Sequence, residues 1–130
     1  MKYDCLFIGN AIVDILTDVS FEFMSDQGIE PGSWRPVEKE EIEKLQSLMP
    51  DNKVASGGSA ANSAVGFSFL GGSSAFIGRV KNDTLGLEYI KDMDDAGVKF
   101  TSNPSKSGLD TGRCLVYVTP DAQRSMRTYL

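Results

Sequence analysis

The stretch that most constrains the fold is residues 55–72, ASGGSAANSAVGFSFLGG. One pair of glycines precedes a run of small and apolar residues, and a second pair closes it. This pattern predicts a helix that begins at a tight glycine turn, with Ser59 as its N-cap, and runs to Leu70. Apolar residues on nearly every side predict that the helix is buried, and its small side chains would let it approach a sheet closely.

The segments around this helix alternate between strand and helix patterns, which predicts an α/β architecture with a mostly parallel sheet flanked by helices. Asp83 is expected to cap the last helix and Gly97 to end it. From Thr111 onward, two β-rich stretches around Pro120–Ala122 predict an antiparallel hairpin. The predicted strands are 3–8, 11–16, 53–56, 73–80 and 98–102, and the predicted helices are 38–49, 59–70 and 82–97.

Composition excludes several classes of function. The 130 residues carry a formal net charge of −5 with no Lys/Arg-rich run, so we expect no nucleic-acid partner. No stretch is apolar enough for a membrane span or a signal peptide. Cys5 and Cys114 lie in apolar runs without metal-type spacing, which indicates reduced core thiols in a cytoplasmic protein. The absence of histidine excludes His-based nucleophilic pairs and His-ligated metals, and we expect no metal site in this chain.

Two glycine turns are expected to meet at one edge of the sheet. Gly9-Asn10 follows the first strand and Gly57-Gly58 follows a later one, and ligands of parallel α/β sheets bind beyond the carboxyl ends of the strands. Asn10, Asp14 and Asn62 would then converge there. For Asp14 an alternative is open, in which its strand is an edge strand and the carboxylate faces water.

The chemistry of this edge favours an uncharged polar ligand. The glycine turn at 57–58 lacks the Gly-Lys-Ser/Thr ending of a phosphate-binding loop, and Gly9 does not begin a dinucleotide fingerprint. The polar side chains nearby are instead amides and a carboxylate. An Asp accepts hydrogen bonds from vicinal hydroxyls, while an Asn both donates and accepts. These groups suit a sugar or another polyol.

The strings IGNAIVD, GGSAANSAVGFSFLGGSSAFIGRV and GRVKNDTLG together resemble the PfkB, or ribokinase-like, family of sugar and nucleoside kinases. The form of the GGSAAN segment and the string TPDAQRSMRTYL look most like the adenosine-kinase-like branch. The positions that carry the family signature are Gly57, Gly58, Asn62, Gly71, Gly72, Gly78, Val80, Asp83 and Gly86.

The resemblance implies a Rossmann-like ribokinase fold with a small antiparallel β lid, formed by segments around 18–37 and 111–130. Residues 1–130 would be the N-terminal, substrate-binding part of one such domain. The implied activity is ATP- and Mg²⁺-dependent phosphorylation of a sugar or nucleoside hydroxyl. The residues implied to bind the sugar are Asn10, Asp14, Gly57, Gly58 and Asn62.

The resemblance also implies that Arg124 lies near the substrate and the transferring phosphate, although Ala122 stands where the family usually has glycine. The alternative for Arg124 is a solvated charge on the hairpin. The family's G-A-G-D segment, which carries the catalytic Asp, is not found in this sequence. We therefore expect no catalytic residue here, a truncated chain, and no activity from these residues alone.

Two other interpretations remain open from the sequence. The chain could be a stand-alone sugar- or nucleoside-binding module without catalysis. It could also be a fragment that forms a homodimer through the lid hairpin, since the strand at 124–130 would offer unpaired backbone groups to a neighbour. The sequence does not specify the sugar or the phosphate donor.

Overall fold

The computed structural model describes residues 2–130, which form two compact units. The first unit comprises the chain up to Val13 together with Ser56–Gly112, and the second comprises Asp14–Ala55 and Arg113–Leu130. The strands are β1 (Cys5–Ile8), β2 (Ile12–Asp18), β3 (Trp34–Pro36), β4 (Lys53–Gly57), β5 (Ser74–Ile77), β6 (Val98–Phe100), β7 (Gly112–Val118) and β8 (Arg124–Tyr129). The helices are α1 (Phe21–Asp26), α2 (Lys39–Ser47), α3 (Ser59–Phe69) and α4 (Thr84–Asp95).

The first unit is built on a parallel three-stranded sheet with strand order β1-β5-β6. Phe7, Phe76 and Phe100 are register partners and therefore share one face of the sheet. Phe67 of α3 packs on Phe7 with ring centroids 5.9 Å apart, and Tyr89 of α4 packs on Phe76 and Phe100 at 6.4 and 6.0 Å. This aromatic layer holds both helices on the same face of the sheet, and the parallel pairing of the strands confirms what the alternating pattern predicted.

The opposite face of this sheet carries apolar side chains that are exposed to solvent in the part of the chain that the structure describes. Leu6 is register partner of Ala75, and Ile8 is register partner of Ile77. Leu6 is 52% exposed, Ile8 69% and Ile77 37%. Monomeric proteins seldom leave a contiguous apolar face of this kind to water, because its burial is worth roughly 25 cal/mol per Å².

The prediction that α3 is buried on all sides is wrong for the residues that the structure describes. Its buried residues are Ala61 and Ala64, which face the sheet. Phe69 and Leu70, at its end, are 82% and 91% exposed. Composition alone cannot say which sides of an apolar helix find a neighbour within a given length of chain.

The second unit contains a five-stranded sheet with strand order β3-β8-β7-β2-β4. The predicted hairpin is confirmed, because β7 and β8 are antiparallel with Arg113 opposite Tyr129 and Val118 opposite Arg124. Strand β3 adds to β8 in the parallel sense. The predicted helix at 38–49 is also confirmed as α2, which buries Ile42.

Residues 18–37 are predicted from their Pro and Gly residues to be irregular, with turns and short extended pieces, and a helix within them is not predicted. Ser20 caps this short helix, α1, by accepting a hydrogen bond from the Phe23 backbone amide at 3.0 Å, while Trp34–Pro36 forms β3 as one of the short extended pieces. The helix spans only six residues and buries only Met24 among them, so it has no apolar period to detect.

Cys5 and Cys114 are free cysteines. Within residues 2–130, no helix combines the length and apolar character needed to cross a membrane.

The turn of the β7–β8 hairpin forces one non-glycine residue into a left-handed conformation. Ala122 has φ +63°, with its amide donating to the Thr119 carbonyl at 2.8 Å. An L-residue pays roughly 1–2 kcal/mol for this conformation and glycine does not. The backbone therefore explains why the resemblance implies a glycine at this position.

We expect Ala122→Gly to raise the free energy of unfolding by about 1 kcal/mol, because it relieves this strain against a smaller entropic cost. Urea unfolding of the intact protein measures the change. The matched control is Ala96→Gly, at a residue with φ −81°, which we expect to destabilise the fold slightly. A loss of stability in Ala122→Gly would contradict this explanation.

Candidate functional site

The two glycine turns meet at the carboxyl end of β1, as the sequence predicted. A Cβ placed on Gly9 would come within 2.8 Å of the Ala60 Cβ in the first turn of α3. A Cβ placed on Gly58 would come within 2.4 Å of the Asn10 carbonyl oxygen. The bare backbone at both turns is what allows β1 and α3 to approach this closely.

The prediction that Ser59 caps α3 is wrong, since the N-cap is Gly58, with φ +102° and ψ 132°. The backbone N–H of Asn62 donates to the Gly58 carbonyl at 2.9 Å, which closes the first helical turn. Within residues 2–130, no side chain caps this helix. Its first backbone N–H groups are therefore available to an oxygen atom of a ligand.

The polar side chains at this turn are exposed. Asn10 follows the Gly9 turn, and Asn62 lies in the first turn of α3. The structure thus brings Asn10, Gly57, Gly58 and Asn62 to one edge of the first unit, whereas Asp14, which was expected with them, belongs to the second unit. Two amide side chains beside a helix start can both donate to and accept from hydroxyl groups.

Helix α4 supports the glycine turn through contacts that the sequence did not predict. The buried Tyr89 hydroxyl donates to the Gly57 carbonyl at 2.9 Å, and the Ser56 hydroxyl donates to the Asp92 carboxylate at 2.7 Å. The helical period marked Tyr89 only as part of a buried stripe. Because Tyr89 and Gly57 are 32 positions apart, the local sequence does not predict this hydrogen bond.

Asp14 belongs to the second unit and lies in β2, between β7 and β4. The alternative of an edge strand is therefore wrong. Burial raises the pKa of this half-buried carboxyl, and the positive charge of Arg124 lowers it. No hydrogen bond among the described residues contributes to the shift. A partly desolvated carboxylate of this kind can accept hydrogen bonds from hydroxyl groups.

Arg124 is the first residue of β8, directly after the hairpin turn, and its side chain is exposed. Its charge acts on Asp14, but within residues 2–130 its guanidinium group forms no hydrogen bond. This exposure is compatible with both interpretations given above, a solvated charge and a contact with a phosphate.

Asp83 explains a second part of the signature, and its predicted role as cap of α4 is confirmed. Its Oδ1 accepts from the Gly86 amide at 2.8 Å and from the Thr111 hydroxyl at 2.6 Å, while Oδ2 accepts from the Thr111 amide at 3.0 Å. A Cβ on Gly86 would lie 2.1 Å from the Lys81 carbonyl oxygen, so glycine is required there. The Asp thus joins α4 to the start of β7.

Asp83→Ala is expected to lower the free energy of unfolding by about 2–3 kcal/mol, because it removes a cap and leaves donors of Thr111 and Gly86 unsatisfied. Burial alone would raise the pKa of Asp83, but the three hydrogen bonds lower it overall. The stabilisation is therefore present above the unfolded pKa of 3.8 and is lost as the pH falls through the lower folded value.

Urea unfolding of the wild type and of Asp83→Ala, at intervals of about one pH unit between pH 2 and pH 7, measures the difference in their free energies of unfolding. Asp95→Ala is the matched control, since Asp95 lies in the last turn of the same helix and is exposed, with an ion pair to Lys91. We expect it to change stability by less than about 0.5 kcal/mol. Equal effects of the two substitutions would contradict the assigned role of Asp83.

No group of three or more His, Cys, Asp or Glu side chains in the described part of the chain could hold a metal ion.

A parallel sheet whose glycine turns meet the start of a helix, together with a second sheet that carries an antiparallel hairpin, defines a ribokinase-type α/β protein. The profile of the pfkB family of carbohydrate kinases matches residues 34–130. The chain belongs to this family, which confirms the resemblance found in the sequence.

Solved structures of adenosine and sugar kinases superpose on the chain. Adenosine kinase from Sinorhizobium meliloti is 42% identical with a TM-score of 0.90, and the match covers 100% of this chain and 40% of that one. A probable sugar kinase from Rhizobium etli CFN 42 is 39% identical with a TM-score of 0.89, covering 98% and 39%. The adenosine kinase of Saccharomyces cerevisiae is 23% identical over 127 residues, which are 92% of this chain and 37% of the relative. The chain thus spans well under half the length of these proteins.

Proposed function

We propose that the chain is the substrate-binding, N-terminal portion of an ATP-dependent kinase that phosphorylates a hydroxyl group of a sugar or nucleoside. Membership of the pfkB family and the likeness to adenosine and sugar kinases support this proposal. The observation that carries it is the meeting of the two glycine turns at the uncapped start of α3, beside Asn10 and Asn62.

We assign roles to residues from their chemistry. Asn10 and Asn62 exchange hydrogen bonds with sugar hydroxyls, and the bare backbone of Gly57 and Gly58 lets a ring approach the start of α3. The Asp14 carboxylate is partly desolvated by burial, and we assign it the role of accepting hydrogen bonds from hydroxyl groups. Held in this way, an acceptor hydroxyl is oriented for attack on a phosphoryl group, and positioning is the main contribution that a protein makes to phosphoryl transfer.

ATP supplies the phosphoryl group and Mg²⁺ neutralises its charge in reactions of this class. We place these groups and the deprotonating carboxylate outside residues 1–130, because the family's G-A-G-D segment is not found in this sequence. Arg124 is proposed to contact the transferring phosphate. The lid segments around 18–37 and 111–130, a homodimer through the hairpin and a cytoplasmic location belong to the same proposal as family expectations.

The exposed apolar face formed by Leu6, Ile8 and Ile77 supports the idea of a larger enzyme. The solved relatives are about two and a half times as long as this chain, and additional chain would cover that face. Residues 1–130 expressed alone are therefore expected to lack kinase activity and to bind a hydrophobic dye.

The test is to purify the full-length protein and incubate it with Mg-ATP and adenosine, guanosine, ribose or fructose in turn, with detection of the phosphorylated product by mass spectrometry. We expect ADP and a monophosphate of at least one acceptor. Binding of an acceptor without turnover would instead favour the non-catalytic module. A folded protein that neither binds nor phosphorylates any acceptor in the panel would overturn the proposal.

A further inference from the structure

We propose that Tyr89 is a positioning residue for sugar binding, acting through the carbonyl group of Gly57. This inference rests on the proposed function, because it concerns the glycine turn at which the sugar is held. Tyr89 does not reach the ligand itself, since its side chain is fully buried beneath the turn.

The aromatic layer of the first unit fixes the Tyr89 ring. The ring lies 6.4 Å from Phe76 at an interplanar angle of 45° and 6.0 Å from Phe100 at 75°. Tyr89 and Phe76 are both 0% exposed, so neither ring has room to change rotamer in a close-packed interior. The hydroxyl oxygen is therefore held at one point, 2.9 Å from the Gly57 carbonyl oxygen.

The position of this hydrogen bond matters because the Gly57–Gly58 peptide is planar and trans. No cis peptide is present in the described chain, and in a trans peptide the C=O and N–H groups point in opposite directions. Fixing the Gly57 carbonyl thus fixes the direction of the Gly58 N–H. Gly58 is also the N-cap residue of α3, so the same bond sets the angle at which the helix begins.

A second contact from α4 acts on the preceding residue. Asp92 lies one helical turn after Tyr89 and accepts the Ser56 hydroxyl at 2.7 Å. Two consecutive residues, Ser56 and Gly57, are therefore tied to one face of α4. The Ser56–Asp92 pair is exposed and the Tyr89–Gly57 bond is buried, so the tyrosine provides the stronger constraint.

Glycine makes such a constraint necessary. Gly57 and Gly58 together have more conformational freedom than any other dipeptide, and a flexible turn would lose entropy each time a sugar bound. A buried hydroxyl that holds the turn in place removes part of that cost in advance. We therefore expect Tyr89 to affect binding of the acceptor sugar or nucleoside and not binding of the phosphate donor.

The experiment is Tyr89→Phe in the full-length enzyme, which removes one oxygen atom and keeps the packed ring. We expect the KM for the sugar or nucleoside to rise about tenfold, the scale of one hydrogen bond, with kcat and the KM for ATP changed less than about twofold. A role in stability alone would lower the melting temperature and leave the acceptor KM unchanged, and that result would overturn the proposal.

Tyr117→Phe is the matched control. Tyr117 is also 0% exposed, but its hydroxyl has no hydrogen-bond partner within residues 2–130. We expect this substitution to leave hydrogen exchange of the Asn62 backbone amide, described next, unchanged. Equally faster exchange in both variants would assign the effect to loss of any buried phenol and would overturn the role of Tyr89.

Amide hydrogen exchange tests the proposal independently of activity. In Tyr89→Phe, we expect the Asn62 backbone amide, which donates to the Gly58 carbonyl, to exchange at least about threefold faster than in the wild type, while amides in the middle of α4 are unchanged. If the enzyme phosphorylates nothing, the proposed function fails, but faster exchange of the Asn62 amide still supports the positioning role. Unchanged exchange of this amide would refute it.

Discussion

Replacing Gly58 with alanine is expected to lower the free energy of unfolding by about 3 kcal/mol or more and to abolish binding of the sugar. Two costs add at this position. The backbone has φ +102° and ψ 132°, a conformation that side chains of L-residues rarely adopt and that costs on the order of 1–3 kcal/mol. The new methyl group would also lie 2.4 Å from the Asn10 carbonyl oxygen, a main-chain atom that cannot rotate away.

Gly66→Ala is the matched control, because it makes the same change in the same helix where nothing lies within 4 Å of the added methyl group. We expect it to raise stability by roughly 0.5–1 kcal/mol through helix propensity. Urea unfolding and calorimetric titration of the full-length protein measure both effects. A Gly58→Ala protein as stable as the wild type would show that the glycine turn does not have the geometry described.

Asp14→Ala is expected to weaken binding of the sugar or nucleoside by about 1.5–3 kcal/mol, the range found for hydrogen bonds to a charged group. The carboxylate is half-buried in a central strand, so its hydrogen bonds to a ligand compete less with water than those of a surface group. Asp51→Ala, at an exposed aspartate of the same unit that lies outside the proposed lid segments, should leave affinity unchanged. Similar affinities for the two variants would remove Asp14 from the site.

The pH dependence follows from the raised pKa of Asp14. Because the ionised form accepts hydrogen bonds, affinity should fall as the pH drops through a value above the ordinary 3.8, and Asp14→Asn should remove this dependence. The linkage to stability has the opposite sign. A folded-state pKa above the unfolded one means that the ionised carboxylate costs stability at neutral pH, so Asp14→Asn should stabilise the fold while it weakens binding.

Local patterns predicted the parts of this fold whose causes are local. The Asp83 cap, the alternating strands and helices, and the hairpin at Pro120–Ala122 each depend on residues close in sequence. The short helix α1 was missed because six residues contain too little period. The exposed end of α3 was misjudged because burial depends on what packs against Phe69 and Leu70, which composition does not contain.

The candidate site was predictable to the same extent. The glycine pairs and Asn10 could be identified because they directly follow predicted strands, where ligands of parallel α/β sheets bind, and Asn62 because it lies in the first turn of the helix after Gly58. The hydrogen bonds from Tyr89 to Gly57 and from Asp83 to Thr111 could not, because each joins residues about thirty positions apart through an ordinary side chain. Those contacts appear only when the sheet and α4 are assembled.

The proposed site depends most on Asp14, whose carboxylate on β2 accepts hydrogen bonds from the hydroxyl groups of an acceptor sugar. The sharpest test of this role is calorimetric titration of wild-type and Asp14→Ala full-length protein with the accepted sugar or nucleoside and with its deoxy analogue. We expect deletion of the hydroxyl to weaken binding at least about tenfold in the wild type and to have almost no effect in the variant, because the two groups share one interaction. Equal losses in both proteins would mean that Asp14 does not contact the hydroxyl, and the account of the site would be wrong.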